Sequence, residues 1–174
     1  MTVFQTTLLL LICAQLSDGK TFNVVTYGAL GDGVTDNSAA FYKCISAAIA
    51  ASGGKIVFPA GVFVGNIVIP PVTDWLTLEI VGDSEPTPVF GTVGSARLSN
   101  HGTVIQYNSS HGVSAVVRAQ AGPANSFSNV FIVLKDLQIR TSDNPTIGGL
   151  DLSSVQQCKV EKSTELPTQR SLGA

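Results

Sequence analysis

Two aspartates in the second half of the chain have the best positions for general acid–base chemistry. Asp136 directly precedes the predicted strand Leu137–Arg140, and Asp151 lies within the predicted strand GLDL at 149–152. Hydrolysis of a glycosidic bond uses two carboxyl groups, one as the acid and the other as base or nucleophile. An aspartate beside a strand more often closes a turn or is solvated. Asp136 and Asp151 are therefore candidate catalytic residues, and turn formation is the alternative.

Aromatic and histidine side chains suggest two further kinds of chemistry, sugar stacking and proton transfer. Trp75 and Tyr107 are candidate substrate-binding residues because their ring faces can stack on a sugar, although single aromatics near strands more often pack half-buried. His101 and His111 each precede a glycine in a loop. Neither lies near a serine or cysteine pattern that indicates nucleophilic catalysis. We predict that both histidines are solvated.

Asn108 and the three cysteines are the candidates for covalent modification and metal binding. The tripeptide NSS that begins at Asn108 is a glycosylation acceptor on a eukaryotic secretory route, and otherwise a polar turn. Cys13 lies in the leader described below, and Cys44 and Cys158 are far apart in the sequence. No metal-ligand spacing occurs. We expect no cofactor and no metal.

The composition argues against several classes of partner. The chain has 174 residues, of which 13% are charged, and a net charge of −2. It lacks the cluster of basic residues that supplies most nucleic-acid affinity. No apolar stretch reaches the roughly 20 residues that span a bilayer. We therefore expect neither a nucleic-acid partner nor a membrane span, and the oligomeric state stays open.

Residues 1–19 have the features of a secretory signal peptide. An apolar stretch, Leu8–Ala14, is followed by the small residues Ser17 and Gly19, which suit a cleavage site. No basic residue precedes the apolar stretch, so a buried or disordered start is the alternative. We predict a secreted, extracellular protein that is cleaved after Gly19.

The elements that must position these side chains are one helix and many short strands. Apolar residues recur on one helical face over Asp36–Ala51, and Gly53 and Gly54 end the helix. We expect Phe41 and other residues of this face to be buried. The following runs are rich in Val and Ile and predict strands: KIVF, NIVIP, LTLEIVG, TVIQY, AVVRA, FIVL, LQIR, GLDL and CKVE. Residues 83–102 contain too many prolines and glycines for a strand and predict a long excursion.

The segment before the helix predicts a glycine-rich turn. It runs from Gly28 to Thr35, and within and after it Asp32 and Asp36 can accept hydrogen bonds from backbone N–H groups. The segment GALGDG lacks the lysine of a phosphate-binding loop and the glycine spacing of a dinucleotide fingerprint. We therefore assign Asp32 a structural role.

Many short strands without intervening helices allow a sandwich, a barrel or a solenoid, and one weak repeat favours the solenoid. Leu137–Arg140 and Cys158–Glu161 share an apolar, polar, apolar, charged pattern at an offset of 21 residues. If these runs stack on neighbouring rungs, Leu137 lies over Cys158, both point inward, and Arg140 can pair with Glu161.

The segment FNVVTYGALGDGVTDNSAAF, the alanine-rich helix after it and GGKIVFPAGVF together resemble the N-terminal region of the pectate-lyase superfamily. That superfamily includes polygalacturonases, rhamnogalacturonase-like and epimerase-like enzymes, and phage tailspikes. The resemblance covers Thr21 to Phe63 closely and extends more loosely from Leu76 to Glu161. It implies an all-β solenoid, a right-handed parallel β-helix whose first rung is covered by a capping helix.

The resemblance implies a cap and first rungs at 20–162. With the signal peptide predicted at 1–19, and a polar segment at 163–174 that loses the apolar alternation and predicts a disordered tail, this gives a plan for the whole chain. The Asn-Thr-Asp, Asp-Asp and Gly-His-Gly motifs of the polygalacturonase branch do not occur, and no acidic cluster matches the calcium site of the lyases. The expected function is the N-terminal portion of a secreted, pectin-processing protein without its catalytic rungs, with a polyuronide as partner. The alternatives are a noncatalytic glycan-binding or structural module, and a truncated inactive product.

Overall fold

The computed structural model describes residues 19–84, 88–90, 96–98, 102–122, 128–141, 146–161 and 164–166. In chain order the elements are β1 (Thr21–Asn23), a 3-10 helix (Val24–Tyr27), β2 (Asp32–Asp36), α1 (Ser38–Ala50), β3 (Gly54–Phe58), β4 (Gly61–Val64), β5 (Ile67–Ile69), β6 (Leu76–Gly82), β7 (Pro88–Phe90), β8 (Ala96–Leu98), β9 (Thr103–Gln106), a second 3-10 helix (Ser109–His111), β10 (Ala115–Ala119), β11 (Ser128–Lys135), β12 (Leu137–Arg140), β13 (Gly148–Asp151), β14 (Val155–Glu161) and β15 (Thr164–Leu166).

Thirteen of these strands form three parallel sheets, which the chain visits in turn. Sheet A has the order β1-β3-β6-β11-β14, sheet B the order β2-β4-β9-β12-β15, and sheet C the order β5-β10-β13. Each turn of the chain, here called a rung, adds a strand to sheet A, then to sheet B, then to sheet C. Parallel strands connected in this way coil in the right-handed sense because of their twist. The predicted right-handed parallel β-helix is confirmed.

The capping helix is also confirmed. α1 begins at Ser38, two residues later than predicted, because Asp36 still belongs to β2. The helix takes the place of a sheet C strand in the first turn and contacts β1, β3, β5 and β6. Phe41 and Ile45 are buried as predicted, and Ile49 is half-buried. α1 therefore covers the end of the coil, where core side chains would otherwise meet water.

The core consists of aliphatic side chains stacked from rung to rung. In sheet A, Ile56 pairs with Ile80 and Ile80 with Leu134, and each is at most 1% exposed. The register continues from Leu134 to Val160 on β14, but Val160 is 45% exposed. Among the described residues, α1 therefore covers the interior at one end, whereas the last stacked side chain, on β14, is partly exposed.

The predicted stacking of Leu137 over Cys158 is wrong. Cys158 pairs with Ile132 and is exposed, and β12 pairs with β15 instead. Successive partners in sheet A are Phe22, Ile56, Ile80, Leu134 and Val160, which are 34, 24, 54 and 26 residues apart. Because the corners differ so much in length, a search for a constant period finds chance matches instead of rungs.

Two segments without a strand-like sequence are nevertheless strands. β2 overlaps the predicted glycine-rich turn over Asp32–Thr35 and pairs with β4, with an irregularity between Asp32 and Asp36. β15 lies within the predicted disordered tail and pairs with β12, so the prediction of disorder does not hold for Thr164–Leu166. A neighbouring rung supplies hydrogen-bond partners to any backbone, so polar segments can extend the sheet. The remainder of the predicted tail lies outside the described residues.

The long excursion between β6 and β9 contains two short antiparallel strands. β7 and β8 pair with Val89 opposite Arg97, which corrects the prediction that this segment forms no strand. The predicted signal peptide, with Cys13, lies outside the described residues apart from Gly19. None of the helices that the structure describes has the length and apolar character needed to cross a membrane.

Candidate functional site

Asp136 forms the corner between sheet A and sheet B. Its backbone has φ 52°, in the left-handed region that aspartate tolerates better than most residues. Its N–H donates a hydrogen bond to the Glu161 carbonyl on the next rung at 3.3 Å. A Cβ at Gly82, on the preceding rung, would overlap the carbonyl oxygen of Asp136. The alternative interpretation of Asp136, closure of a turn, therefore accounts for its position.

Asp151 lies at the end of β13 in sheet C, beside a cation. Its partner in the register is Arg118, whose Nε lies 3.5 Å from Asp151 Oδ2, and the Ser153 hydroxyl donates to Oδ1 at 2.7 Å. Asp136 and Asp151 thus belong to the same rung, but one closes the corner between sheets A and B and the other lies in sheet C. The structure does not bring them together as an acid–base pair.

A polar cluster that the sequence did not predict joins the start of α1 to the second 3-10 helix. His111 Nε2 lies 2.7 Å from Asp36 Oδ2, across 75 residues of sequence. Asp36 Oδ1 accepts hydrogen bonds from the N–H and hydroxyl of Ser38. His111 is exposed in the second 3-10 helix, in agreement with the predicted solvated position, although its ring also contacts Asp36, and His101 lies outside the described residues.

The electrostatics of this cluster favour an ionised Asp36. Partial burial acts to raise the pKa of Asp36, but the hydrogen bonds from Ser38 and His111 outweigh it and hold the pKa well below its ordinary value. The Ser38 hydroxyl bonds to the carboxylate and accepts a bond from the Asn66 N–H. Nucleophilic catalysis instead needs a hydroxyl bonded to the imidazole. The cluster therefore has a structural role: it links the start of the capping helix to the second 3-10 helix on a later rung.

Asp32 has the structural role predicted for the glycine-rich turn. Its carboxylate accepts bonds from the N–H groups of Val34 and Thr35 at 2.9 Å and 2.8 Å, and from the Thr35 hydroxyl at 2.6 Å. These bonds, above all the one from the hydroxyl, lower the pKa of Asp32 to about 2. The ionised carboxylate therefore holds the turn.

We expect Asp32→Asn to change stability modestly and in a pH-dependent way. Since folding lowers the pKa of Asp32 below 3.8, its contribution is complete above about pH 4 and is lost as the pH falls towards 2. Urea unfolding of the wild type and the variant between pH 2 and neutral pH measures the difference, which must shrink on acidification. Thr35→Val should reduce the same acid dependence. A difference that grows below pH 4 would contradict this role.

The two candidate aromatic residues have different environments. The Tyr107 hydroxyl donates to the Val113 carbonyl at 2.9 Å, and its ring packs against the core. Tyr107 is therefore a packing residue, and its prediction as a sugar-stacking residue is not supported. Trp75 is 67% exposed and precedes β6. Its indole is available for stacking.

Asn108 is buried, which argues against its predicted glycosylation. Its side chain is 9% exposed, and its Oδ1 accepts a bond from the Ser110 N–H at 2.9 Å. Its backbone N–H and C=O bond to the side chain of Asn66 on the preceding rung. Asn66 and Asn108 form a ladder inside the corner between sheets B and C, where an attached glycan would have no room.

The outer face of sheet A carries a network of ion pairs. Lys135 Nζ lies 2.9 Å from Glu79 Oε1 and 3.4 Å from Glu161 Oε2, and Lys159 also contacts Glu161. The hydrogen bond that Lys135 donates to Glu79 is the main reason why the pKa of Lys135 is raised. Exposed pairs of this kind contribute little to stability. Among the described residues, no group of three or more His, Cys, Asp or Glu side chains could hold a metal ion.

The fold and these features define a class: a parallel β-helix with an N-terminal helical cap. A family model described as "Rhamnogalacturonase A/epimerase, pectate lyase-like" matches residues 21–168. The chain belongs to this family.

Curated relatives match short segments of the chain. Mannuronan C5-epimerase AlgE5 of Azotobacter vinelandii is 55% identical over 40 residues, which cover 23% of this chain and 4% of the epimerase. A probable polygalacturonase of Arabidopsis thaliana is 36% identical over 75 residues, which cover 42% of this chain and 14% of the relative. The matched segments therefore span a small part of each relative's length.

One similar solved structure is the A-module of mannuronan C-5 epimerase AlgE6 of Azotobacter vinelandii. It has a TM-score of 0.47 and 22% identity, with 83% of this chain and 37% of the module aligned. A second is PfbA, a surface adhesin of Streptococcus pneumoniae, with a TM-score of 0.36 and 15% identity over 88% of this chain and 41% of the adhesin.

Proposed function

We propose that this chain forms the cap and first rungs of an extracellular, polyuronide-processing β-helix protein whose catalytic rungs are not among its own. One observation carries the proposal: Asp136 closes a corner of the coil and Asp151 pairs with Arg118, within a fold that belongs to a polysaccharide-processing family. A glycosidase pair requires two carboxyl groups about 5 to 9.5 Å apart across the substrate. The two candidate carboxylates stand in different parts of their rung.

The names of the relatives support the substrate class. Mannuronan and polygalacturonan, the polymers named in the epimerases and the polygalacturonase, are both chains of uronic acids. The signal-peptide pattern of residues 1–19 supports secretion. The low content of charged residues suits a surface that contacts sugar hydroxyls through neutral hydrogen-bonding groups.

We expect the full chain to leave polyuronides chemically unchanged. Polygalacturonate, rhamnogalacturonan and polymannuronate are incubated with it, with and without calcium. New reducing ends report hydrolysis, ultraviolet absorbance of unsaturated products reports elimination, and exchange of the C5 proton in deuterated water reports epimerisation. No signal above the buffer control is expected, because acid and base groups must be held together on rigid elements.

The alternatives give different outcomes in the same experiments. Turnover that disappears in Asp136→Ala or Asp151→Ala would overturn the proposal and place the active site in this chain. A chain that shows no cooperative melting by circular dichroism would favour the truncated, inactive product. A noncatalytic glycan-binding module predicts a folded chain that binds a glycan specifically in the absence of any longer protein.

A further inference from the structure

The Asp36 carboxylate closes a circuit of hydrogen bonds that runs through the first three rungs. The Ser38 hydroxyl donates to Asp36 Oδ1 at 2.8 Å and accepts a bond from the Asn66 N–H at 3.0 Å. The side chain of Asn66 bonds to the backbone carbonyl and N–H of Asn108 on the next rung, at 2.6 Å and 3.1 Å. Three residues further along the chain, His111 Nε2 lies 2.7 Å from Asp36 Oδ2. The path therefore returns to the carboxylate at which it began.

His111 is the member of this circuit whose charge changes near neutral pH. Serine and asparagine side chains do not titrate, whereas imidazoles gain or lose a proton between about pH 5 and pH 8. A charged imidazole makes a charge-assisted bond to a carboxylate. A neutral imidazole can still donate from Nε2 in one of its tautomers, but the attraction between opposite charges is then absent. The contact between Asp36 and His111 should therefore be stronger in acid.

Asp36 remains ionised throughout this pH range. The hydrogen bonds from Ser38 and His111 outweigh the effect of partial burial and hold the pKa of Asp36 well below its ordinary value. Among the described residues, Asp36 is the only carboxylate recorded within 4.0 Å of the His111 ring. A change in the strength of the contact between pH 5 and pH 8 therefore follows the charge of the imidazole, not that of the carboxylate.

The other charged side chains of the neighbouring elements have different surroundings. On β2, α1 and β10 these are Asp32, Lys43 and Arg118. Asp32 is bonded within its own turn, and Arg118 is paired with a carboxylate on β13. Lys43 lies in the second turn of α1, on another side of the helix from its first residue. Asp36 is thus the charged group that faces His111 from the cap.

We propose that Asp36 and His111 form a pH-dependent ion pair that holds the capping helix to the third rung more firmly in mildly acidic than in mildly alkaline solution. The stabilisation is complete while the imidazole is charged and is lost as the pH rises through the range in which it loses its proton. The two side chains are 44% and 43% exposed, so solvent screening keeps the effect modest. This ion pair does not depend on the function proposed above.

A double-mutant cycle in the full chain tests the ion pair. Asp36→Asn keeps the size of the side chain and one acceptor oxygen for Ser38, and His111→Gln keeps an N–H donor that does not titrate. Urea unfolding of the wild type, both single variants and the double variant is measured at about pH 5.5 and about pH 8. The coupling between the two side chains, expressed as a ratio of unfolding constants, should be about threefold larger at the lower pH.

Asp32→Asn is the matched control, since it removes a carboxylate from the same strand. A cycle of Asp32→Asn with His111→Gln should show no coupling at either pH. Coupling of Asp36 and His111 that is equal at the two pH values, or larger at the higher one, would overturn the proposal. If Asp36→Asn does not fold, the stability difference between the wild type and His111→Gln decides alone. That difference must shrink as the pH rises, and a constant difference would again overturn the ion pair.

Discussion

Phe41→Ala should lower the free energy of unfolding by about 3 to 5 kcal/mol, because it empties the space between the cap and the first rungs. Phe41 is fully buried, and its ring centroid lies 5.2 Å from that of Phe58 and 6.5 Å from that of Phe63. Both partners are themselves buried, so the ring leaves a cavity that its neighbours cannot collapse to fill. Denaturant unfolding of the full chain measures the loss.

Tyr42→Ala is the control for this substitution. Tyr42 is the next residue of α1 but is exposed, so its replacement removes an aromatic side chain from the same helix without opening a cavity. Its effect should lie within the range of about 0.5 kcal/mol that surface substitutions usually show. Equal stability of the two variants would mean that α1 does not seal the core.

Asn37→Ala should lower the free energy of unfolding by about 3 kcal/mol or more, since one buried side chain satisfies several backbone groups. Asn37 is 1% exposed. Its Nδ2 donates to the carbonyls of Leu30, Thr35 and Val64 at 3.0, 2.7 and 3.1 Å, and its Oδ1 accepts from the Leu30 N–H at 2.7 Å. The alanine variant leaves these groups without the partner that the side chain supplied. Thermal or urea unfolding measures the change.

Asn23→Ala provides a comparison of the same residue type in an exposed setting. Asn23 makes one hydrogen bond, from the Val25 N–H to its Oδ1, at the start of the first 3-10 helix. Its loss should cost about 1 kcal/mol, as for other N-cap residues. If Asn37→Ala cost no more than Asn23→Ala, water would be replacing the bonds that Asn37 makes.

The sequence predicts the elements of this fold much better than their register. Runs of Val and Ile mark strands because those residues suit a buried pleated surface, and the apolar face of α1 recurs at the helical period. The stacking of rungs, however, depends on the corners between strands, and these differ so much in length that the sequence shows no constant repeat. The pairing of Cys158 with Ile132 rather than Leu137 therefore follows from the corners and cannot be found from the strands alone.

The same limit applies to the candidate site. The exposed Trp75 was a candidate from residue type alone, but Tyr107 was an equally good one until its hydroxyl proved to bond to Val113. The bond between Asp36 and His111 joins residues 75 positions apart, with no motif that connects them. Asn37 has the residue type of a helix cap, yet its side chain makes no cap hydrogen bond and ties the preceding turn to β4.

The position of α1 at the N-terminal end of the coil has a consequence for folding during synthesis. A ribosome releases the cap and β3 before the later rungs, so the sealed end of the core is available first. In a stack where each rung contacts its neighbours, every new rung then adds its strands to an edge that already exists. The chain therefore loses its conformational entropy one rung at a time, starting from the folded N-terminal end. A chain built in this way can fold in the order in which it is translated.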